Sequence, residues 1–197
     1  SAAAGHTTGG AISPHDLNIF QIADDVDSAF HILKSGLSRL YLTPEEMADF
    51  LELSEIPRRI EVYDNSHIQG AKAVGAMIVA GPEGFVKNQY RKFNIREAQS
   101  NDDFAMMREV MTRRFGRALE EDPERERATA DGVTTWPDLV LIDGGKGQMS
   151  AVKEALEELG VEDVPLIAVA KGPHHGREGR EVFHFPDGRE KTLPTNS

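Results

Sequence analysis

Leu139-Val140-Leu141-Ile142-Asp143-Gly144-Gly145-Lys146-Gly147-Gln148 is the stretch on which the fold turns. Four apolar residues make a short buried strand, and an acid and two glycines end it. A helix follows, because Met149, Val152, Leu156 and Leu159 recur at spacings of three and four until Gly160 stops the run. Leu166 to Ala170 is then a second buried strand. Two strands joined through a helical crossover lie parallel to whatever they join.

Upstream, the spacing predicts another helix from about Asp102, capped by Ser100 or Asn101. Phe104, Met107, Met111 and Phe115 line one of its faces, and Arg113, Arg114 and Arg117 the other. Asp102 itself reads better as a cap than as a reactive acid. Before this helix come three β-prone runs: Ile60 to Tyr63, Val74 to Ala80, and Phe85 to Ile95. Gly81-Pro82-Glu83-Gly84 turns the last two into a hairpin. The order β-β-β-α-β-α-β predicts an α/β fold. It is a mixed five-stranded sheet, a three-strand antiparallel meander plus parallel strands, flanked by helices.

The rest of the chain is less patterned. Glu120 to about Thr135 is highly charged without periodicity and reads as a solvated loop. Lys171 to Gly179 reads as a loop, and Val182 to Phe185 as part of an edge hairpin. Residues 1–15 are small, polar and Gly-rich, which suits a disordered tail. Residues 16–56 have helical periodicity in Phe30, Leu33, Leu37 and Leu40, and Thr43-Pro44-Glu45-Glu46 is a helix start. Pro57 closes this helical appendage, leaving 57–197 as the main domain.

Composition excludes several classes. Hydrophobic content of 39% with 28% charged residues is that of a soluble globular chain. No apolar run reaches the roughly 18 residues of a membrane span, and the opening residues lack the pattern of a signal peptide. With no cysteine there are no disulfides or thiolate zinc sites, which fits a cytoplasmic location. The net charge of −11 argues against a polyanionic partner, but the charge is uneven. Lys87, Arg91, Lys92 and Arg96 form one basic stretch and Arg113, Arg114 and Arg117 another.

Asp64 and Asp143 occupy equivalent places, each just after a β-prone strand. If those strands are parallel neighbours, both carboxylates leave the same end of the sheet, where α/β folds bind ligands. Two such acids repel unless a proton or a cation lies between them, and hard oxygen donors suit Mg²⁺ or Mn²⁺. Such ions activate water and stabilise the leaving oxygen of a phosphodiester. Read without context, each aspartate could be a strand-end turn residue, and for Asp143 the two readings are even, since Asp-Gly is a common turn pair.

Three long segments decide between these readings. They are Ile60-Glu-Val-Tyr-Asp-Asn-Ser-His-Ile-Gln-Gly70; Tyr90-Arg-Lys-Phe-Asn-Ile95 with Asp102-Asp103-Phe104-Ala-Met-Met-Arg108-Glu-Val; and Leu139 to Gln148. With Ala170-Lys171-Gly172 and Leu193-Pro194 in the same order, the sequence from about Pro57 to Ser197 resembles UvrC. That family is the bacterial nucleotide-excision-repair nuclease acting with UvrA and UvrB on damaged double-stranded DNA. The resemblance implies an RNase H-like endonuclease domain that makes the 5′ incision. It also implies metal-binding roles for Asp64 and Asp143 and a third acidic position at Asp103.

Around them, His67 is either a partner of the site or a structural histidine. Lys146 and Gln148 could meet a phosphate at a helix N-terminus, and Lys171 could do so after the last buried strand. Tyr90, Arg91 and Asn94 either contact DNA or pack locally. The Gly-rich loop lacks the Gly-Lys-Ser/Thr ending of a P-loop, so a nucleotide site is disfavoured. The family's centre is completed by a histidine on a helix beyond Leu193-Pro194, a match that the sequence to Ser197 does not contain. The expectation is weak or absent cutting by these residues alone, and the rival reading is a non-catalytic RNase H-like interaction module.

Overall fold

The computed structural model describes residues 44–67, 73–81, 84–99, 101–126, 135–170 and 181–192. In chain order the elements are α1 (Pro44–Phe50), β1 (Ile60–His67), β2 (Ala73–Gly81), β3 (Gly84–Phe85), a 3-10 turn (Lys87–Gln89), β4 (Arg91–Asn94), α2 (Asp103–Glu121), β5 (Leu139–Asp143), α3 (Lys146–Glu158), β6 (Leu166–Ala170), β7 (Val182–His184) and β8 (Glu190–Thr192). One mixed sheet contains every strand, in the order β3-β2-β1-β5-β6-β7-β8, with β4 also paired to β2. β1 and β2 are antiparallel, β1-β5 and β5-β6 are parallel, and the β7-β8 hairpin extends the far edge. This is the RNase H-like arrangement expected of the five principal strands, widened by the hairpin.

The parallel register of β1 on β5 has a visible cause. Asp138, just ahead of β5, accepts hydrogen bonds at Oδ2 from the backbone N–H groups of Arg58 (2.8 Å) and Arg59 (3.0 Å). Its own N–H donates to Arg59 O at 2.8 Å. One carboxylate thus fixes where the two strands start, and the pairs Ile60↔Leu139 to Tyr63↔Ile142 follow.

Each face of the sheet has its own core. Tyr63, Met77, Val79, Val140 and Ile142 pack under α2 and α3. On the opposite face Val62, Ile78, Leu141 and Ile167 pack with Leu51, just past α1, and with Phe183 of the edge hairpin. Phe50 meets the Phe183 ring edge-on at 5.2 Å. This two-sided burial explains why β2, β5 and β6 read as continuous apolar runs rather than as alternating strands.

Several expectations need correction. β1 does not end at Tyr63 but runs on to His67, held by β2 alone after β5 parts from it. Phe85 to Ile95 is not one strand. Opposite Ile78 and Val79 of β2 stand the five residues Val86 to Tyr90, and the surplus is folded into the 3-10 turn between β3 and β4. Asp102, read from the sequence as a cap, is the N-cap of α2, with Oδ1 accepting from Ala105 N at 3.0 Å, and Asn101 is not. Ser100 lies outside the described residues, as do residues 1–43 with the expected tail and first helix.

Two residues of α2 exchange sides. Phe104, expected in the core, is 49% exposed, and Arg114, expected in solvent, is 5% exposed. Arg114 is tolerated because it donates to the fully buried Glu61 at 2.8 Å and to Thr135 O at 2.6 Å. The charged segment after α2 is also anchored where it is described. α2 extends to Glu121, and buried Asp122 accepts from Thr135 Oγ1 (2.7 Å) and Glu126 N (3.0 Å).

Candidate metal centre

The sheet register brings the two aspartates together. Tyr63 pairs with Ile142 as the last partners of β1 and β5, so Asp64 and Asp143 are the next residues of neighbouring parallel strands. Residues at one register position share a face, and the paired strands stand about 4.8 Å apart along the hydrogen-bonding direction as far as Tyr63 and Ile142. That face is the one bearing Val62 and Leu141, opposite to α2 and α3. Both aspartates are half-buried. Beyond Tyr63 the strands diverge, and Gly144, at φ +153°, turns the chain from β5 into α3. The acids therefore flank the point where the sheet opens at its carboxyl end.

Asp103 approaches from the other side. It is exposed, in the first turn of α2, and its carbonyl accepts from Asn65 Nδ2 at 3.2 Å. Asn65 thereby ties the residue after Asp64 to the residue that carries the third acid. From the sequence alone Asn65 has no role, because the strand is expected to end at Tyr63, and alternation places Asn65 opposite to Asp64 only once β1 is seen to run on to His67. Among the described residues no three His, Asp or Glu side chains close up into a metal-holding group. Asp103 thus does not close up with the pair into a compact triad. The donor set nonetheless suits a hard divalent ion, since Mg²⁺ commonly takes one or two protein carboxylates and completes its shell with water and phosphate oxygens.

The start of α3 is more occupied than its sequence suggests. Gln148 folds back so that Oε1 accepts from Gly145 N at 3.1 Å, and a side chain on Gly144 would meet it at 2.6 Å. The loop is thus closed on itself by Gln148, which leaves the side-chain NH₂ as its remaining donor. Lys146 Nζ is 3.0 Å from Glu190 Oε1 of β8, on a side chain that is 67% exposed. A side chain on Gly147 would strike the Phe104 ring at 2.3 Å, so the N-terminal turns of α2 and α3 meet through this glycine.

The remaining candidates divide by face. Asn94 pairs with Val74, which pairs with Ser66, so Asn94 shares the aspartate face. Arg91 pairs with Met77 and lies on the α2 face, where burial and the positive charges of Arg114 and Arg117 hold its pKa below the ordinary guanidinium value. Half-buried Tyr90 packs against both cores at the sheet's edge. His67 ends β1, and nothing is described of its side chain; Lys171 lies outside the described residues, as do His174 and His175. His184 sits on β7, with Nδ1 3.5 Å from Glu190.

Comparison with known proteins matches the sequence to a family. A family described as the UvrC RNase H endonuclease domain matches residues 48–197. UvrABC system protein C of Novosphingobium aromaticivorans is 79% identical over 152 residues, covering 77% of this chain and 22% of that protein. The protein of the same name from Sphingopyxis alaskensis is 62% identical over 154 residues, covering 77% and 23%. The chain thus spans under a quarter of the length of these relatives. Among solved structures, endonuclease V of Ciona intestinalis overlays with a TM-score of 0.41 at 15% identity, covering 62% of this chain and 49% of that one. The extent of the family match and the identity to these relatives place the chain in the UvrC RNase H endonuclease domain family.

Proposed function

We propose that this domain hydrolyses a phosphodiester of damaged double-stranded DNA, making the 5′ incision of nucleotide excision repair. In this reading Asp64 and Asp143 hold Mg²⁺ or Mn²⁺, with Asp103 as a third acid beside them. The observation that carries the proposal is the shared register position and shared face of Asp64 and Asp143 where β1 and β5 part. When bound, such an ion activates water and stabilises the leaving oxygen. The chain's own contribution is rigidity: the Asp138 clamp sets the strand register, and the Asn65 bond holds the start of α2 against β1. Fixed carboxylates supply orientation before substrate arrives.

The same reading includes contacts to DNA. Asn94 on the aspartate face, Lys146 and the free amide of Gln148 at the start of α3 are assigned to the phosphate backbone, with Tyr90 at the sheet edge. Lys171 belongs to the same proposal. The name shared by the relatives, UvrABC system protein C, supports UvrA and UvrB as partners of the whole protein. The test is nicking of lesion-bearing duplex DNA with Mn²⁺ by the full-length protein that carries this domain. Asp64→Asn and Asp143→Asn should each reduce nicking at least 100-fold while DNA binding persists. Equal cutting by all three proteins would remove the aspartate pair from the chemistry.

A further inference from the structure

The row that joins Asp143 and Asp64 continues across the sheet. Asp64 pairs with Ala76 of β2, and Ala76 pairs with Lys92 of β4. Paired residues share a face, so Asp143, Asp64, Ala76 and Lys92 form one line on the side away from α2 and α3. Phe93, the neighbour of Lys92, confirms the alternation by packing into the core under α2. Along this row Ala76, itself buried, separates the lysine from the nearer aspartate. Two strand spacings put Lys92 roughly 10 Å from Asp64.

Most cations of the described residues are committed to carboxylates, among them Arg59 and Arg114 to Glu61, Arg108 to Glu154 and Glu158, Arg113 to Glu109, Arg117 to Glu121, Arg125 to Asp163, Lys146 to Glu190, Lys153 to Glu157, Arg189 to Asp187 and Glu52, and Lys191 to Glu52. Lys92 has no such partner among the described residues and is half-buried rather than fully extended into solvent. A half-buried ammonium without a carboxylate, in line with two acids, is chemically suited to an anion that spans both.

We propose that Lys92 holds a backbone phosphate of the strand being cut. This rests on the reading of Asp64 and Asp143 as the metal-binding pair. One strand of a duplex rises about 3.4 Å per nucleotide. Because the backbone also winds around the axis, neighbouring phosphates of one strand stand about 7 Å apart, so a separation of roughly 10 Å places the phosphate on Lys92 about one or two nucleotides from the one at the aspartates. Lys92 is then a binding residue that sets which phosphodiester reaches the pair. A lysine on an edge strand can instead serve only to block strand addition, and that role leaves DNA affinity unchanged.

The test is duplex DNA binding by this chain, followed by fluorescence anisotropy in Ca²⁺ buffer between about 50 and 200 mM salt. Loss of one phosphate contact lowers the slope of log K against log salt by about 0.9. Lys92→Ala should show that loss and a several-fold weaker affinity at the low-salt end, and Lys92→Arg should show neither. Lys153→Ala, removing an exposed cation of α3, should match the parent chain. An unchanged slope in Lys92→Ala, an equal loss in Lys153→Ala, or no duplex binding by the chain would overturn the proposal. The reading beneath it is checked separately by the rise in melting temperature with Mn²⁺. That rise should vanish in Asp64→Asn and Asp143→Asn and persist in Lys92→Ala; if it persists in both Asp variants, the metal assignment fails while the salt slope still reports on Lys92.

Discussion

Two carboxylates at one register position of adjacent parallel strands are a cost to the fold, because like charges that close repel. Both are half-buried, so solvent weakens the repulsion to on the order of 1 kcal/mol. Asp64→Asn should therefore leave the metal-free protein as stable as before or raise its melting temperature by about 2–4 °C. The same variant should lose the stabilisation given by Mn²⁺. Calorimetry with and without the ion measures both, and a metal-free variant that melts well below the parent would show a structural aspartate instead. Glu61 is the opposite kind of acid. It is fully buried, and Arg59 Nε and Arg114 Nη2 each donate to its Oε2 at 2.8 Å, while the Tyr63 hydroxyl bonds to Oε1. Removing one partner of a buried ion pair typically costs 3–5 kcal/mol. Glu61→Ala should lose about that much in urea unfolding, and Glu61→Gln, which keeps an acceptor, should lose less. The sequence offered the first pair through strand ends and motif context. It gave no sign of the second, because a glutamate in a β-prone run looks like a solvent-facing residue until a helix arginine is found above it.

α2 is seated on the sheet by an absence of side chain. A Cβ at Gly75 would lie 2.4 Å from Val110 Cγ2, far inside contact distance, so the helix can approach β2 only over a glycine. Gly75→Ala should force α2 outward and cost about 1–3 kcal/mol, the usual penalty of overpacking. Adding Val110→Ala should restore part of that loss, since it removes the atom that is struck. A double-mutant cycle by chemical denaturation reads the coupling, and strict additivity would show that the two positions do not meet. Gly147 makes a similar contact with Phe104, but that ring is 49% exposed and can swing aside. Gly147→Ala is accordingly expected to be milder. At this scale the succession of strands and the two long helices along the chain were legible, because apolar spacing is a local property, whereas the pairing of β1 with β5 stayed conditional until the sheet was seen. The break between β3 and β4 was not. Its cause is a three-residue surplus against β2, which exists only once the pairing partner is known. The same holds for the reach of β1 past Tyr63: Asp64 to His67 are polar for a strand, and only pairing with β2 keeps them extended.

Across the whole molecule, a chain with net charge −11 uses several of its acids as internal clamps rather than as surface charge. Glu61 joins α2 to β1, Asp138 aligns β1 with β5, and Glu109 ties the segment after β4 to α2. Glu109 is the clearest case for measurement. Its carboxylate accepts from the backbone N–H groups of Arg96 (2.8 Å), Glu97 (2.7 Å) and Ala98 (3.0 Å), and its side chain is 9% exposed. Burial pushes its pKa up, but the three backbone donors and the charge of Arg113 outweigh burial and hold it below the ordinary glutamate value of 4.5. A depressed folded-state pKa means that the stabilisation is complete above the unfolded value. It is lost as pH falls through the folded value, because the unfolded chain takes up the proton first. Glu109→Gln keeps the shape, loses the charge, and can satisfy fewer of the three donors; hydrogen bonds to a charged group contribute about 1.5–3 kcal/mol. The stability gap between the parent and Glu109→Gln, measured by urea unfolding, should therefore be constant from pH 7 down to about pH 5 and narrow steadily below about pH 4.5. A gap that stays constant into acid would mean that the glutamate acts by shape alone. A gap that widens would mean that its folded pKa is raised, and that the loop is held by a protonated acid rather than by a carboxylate.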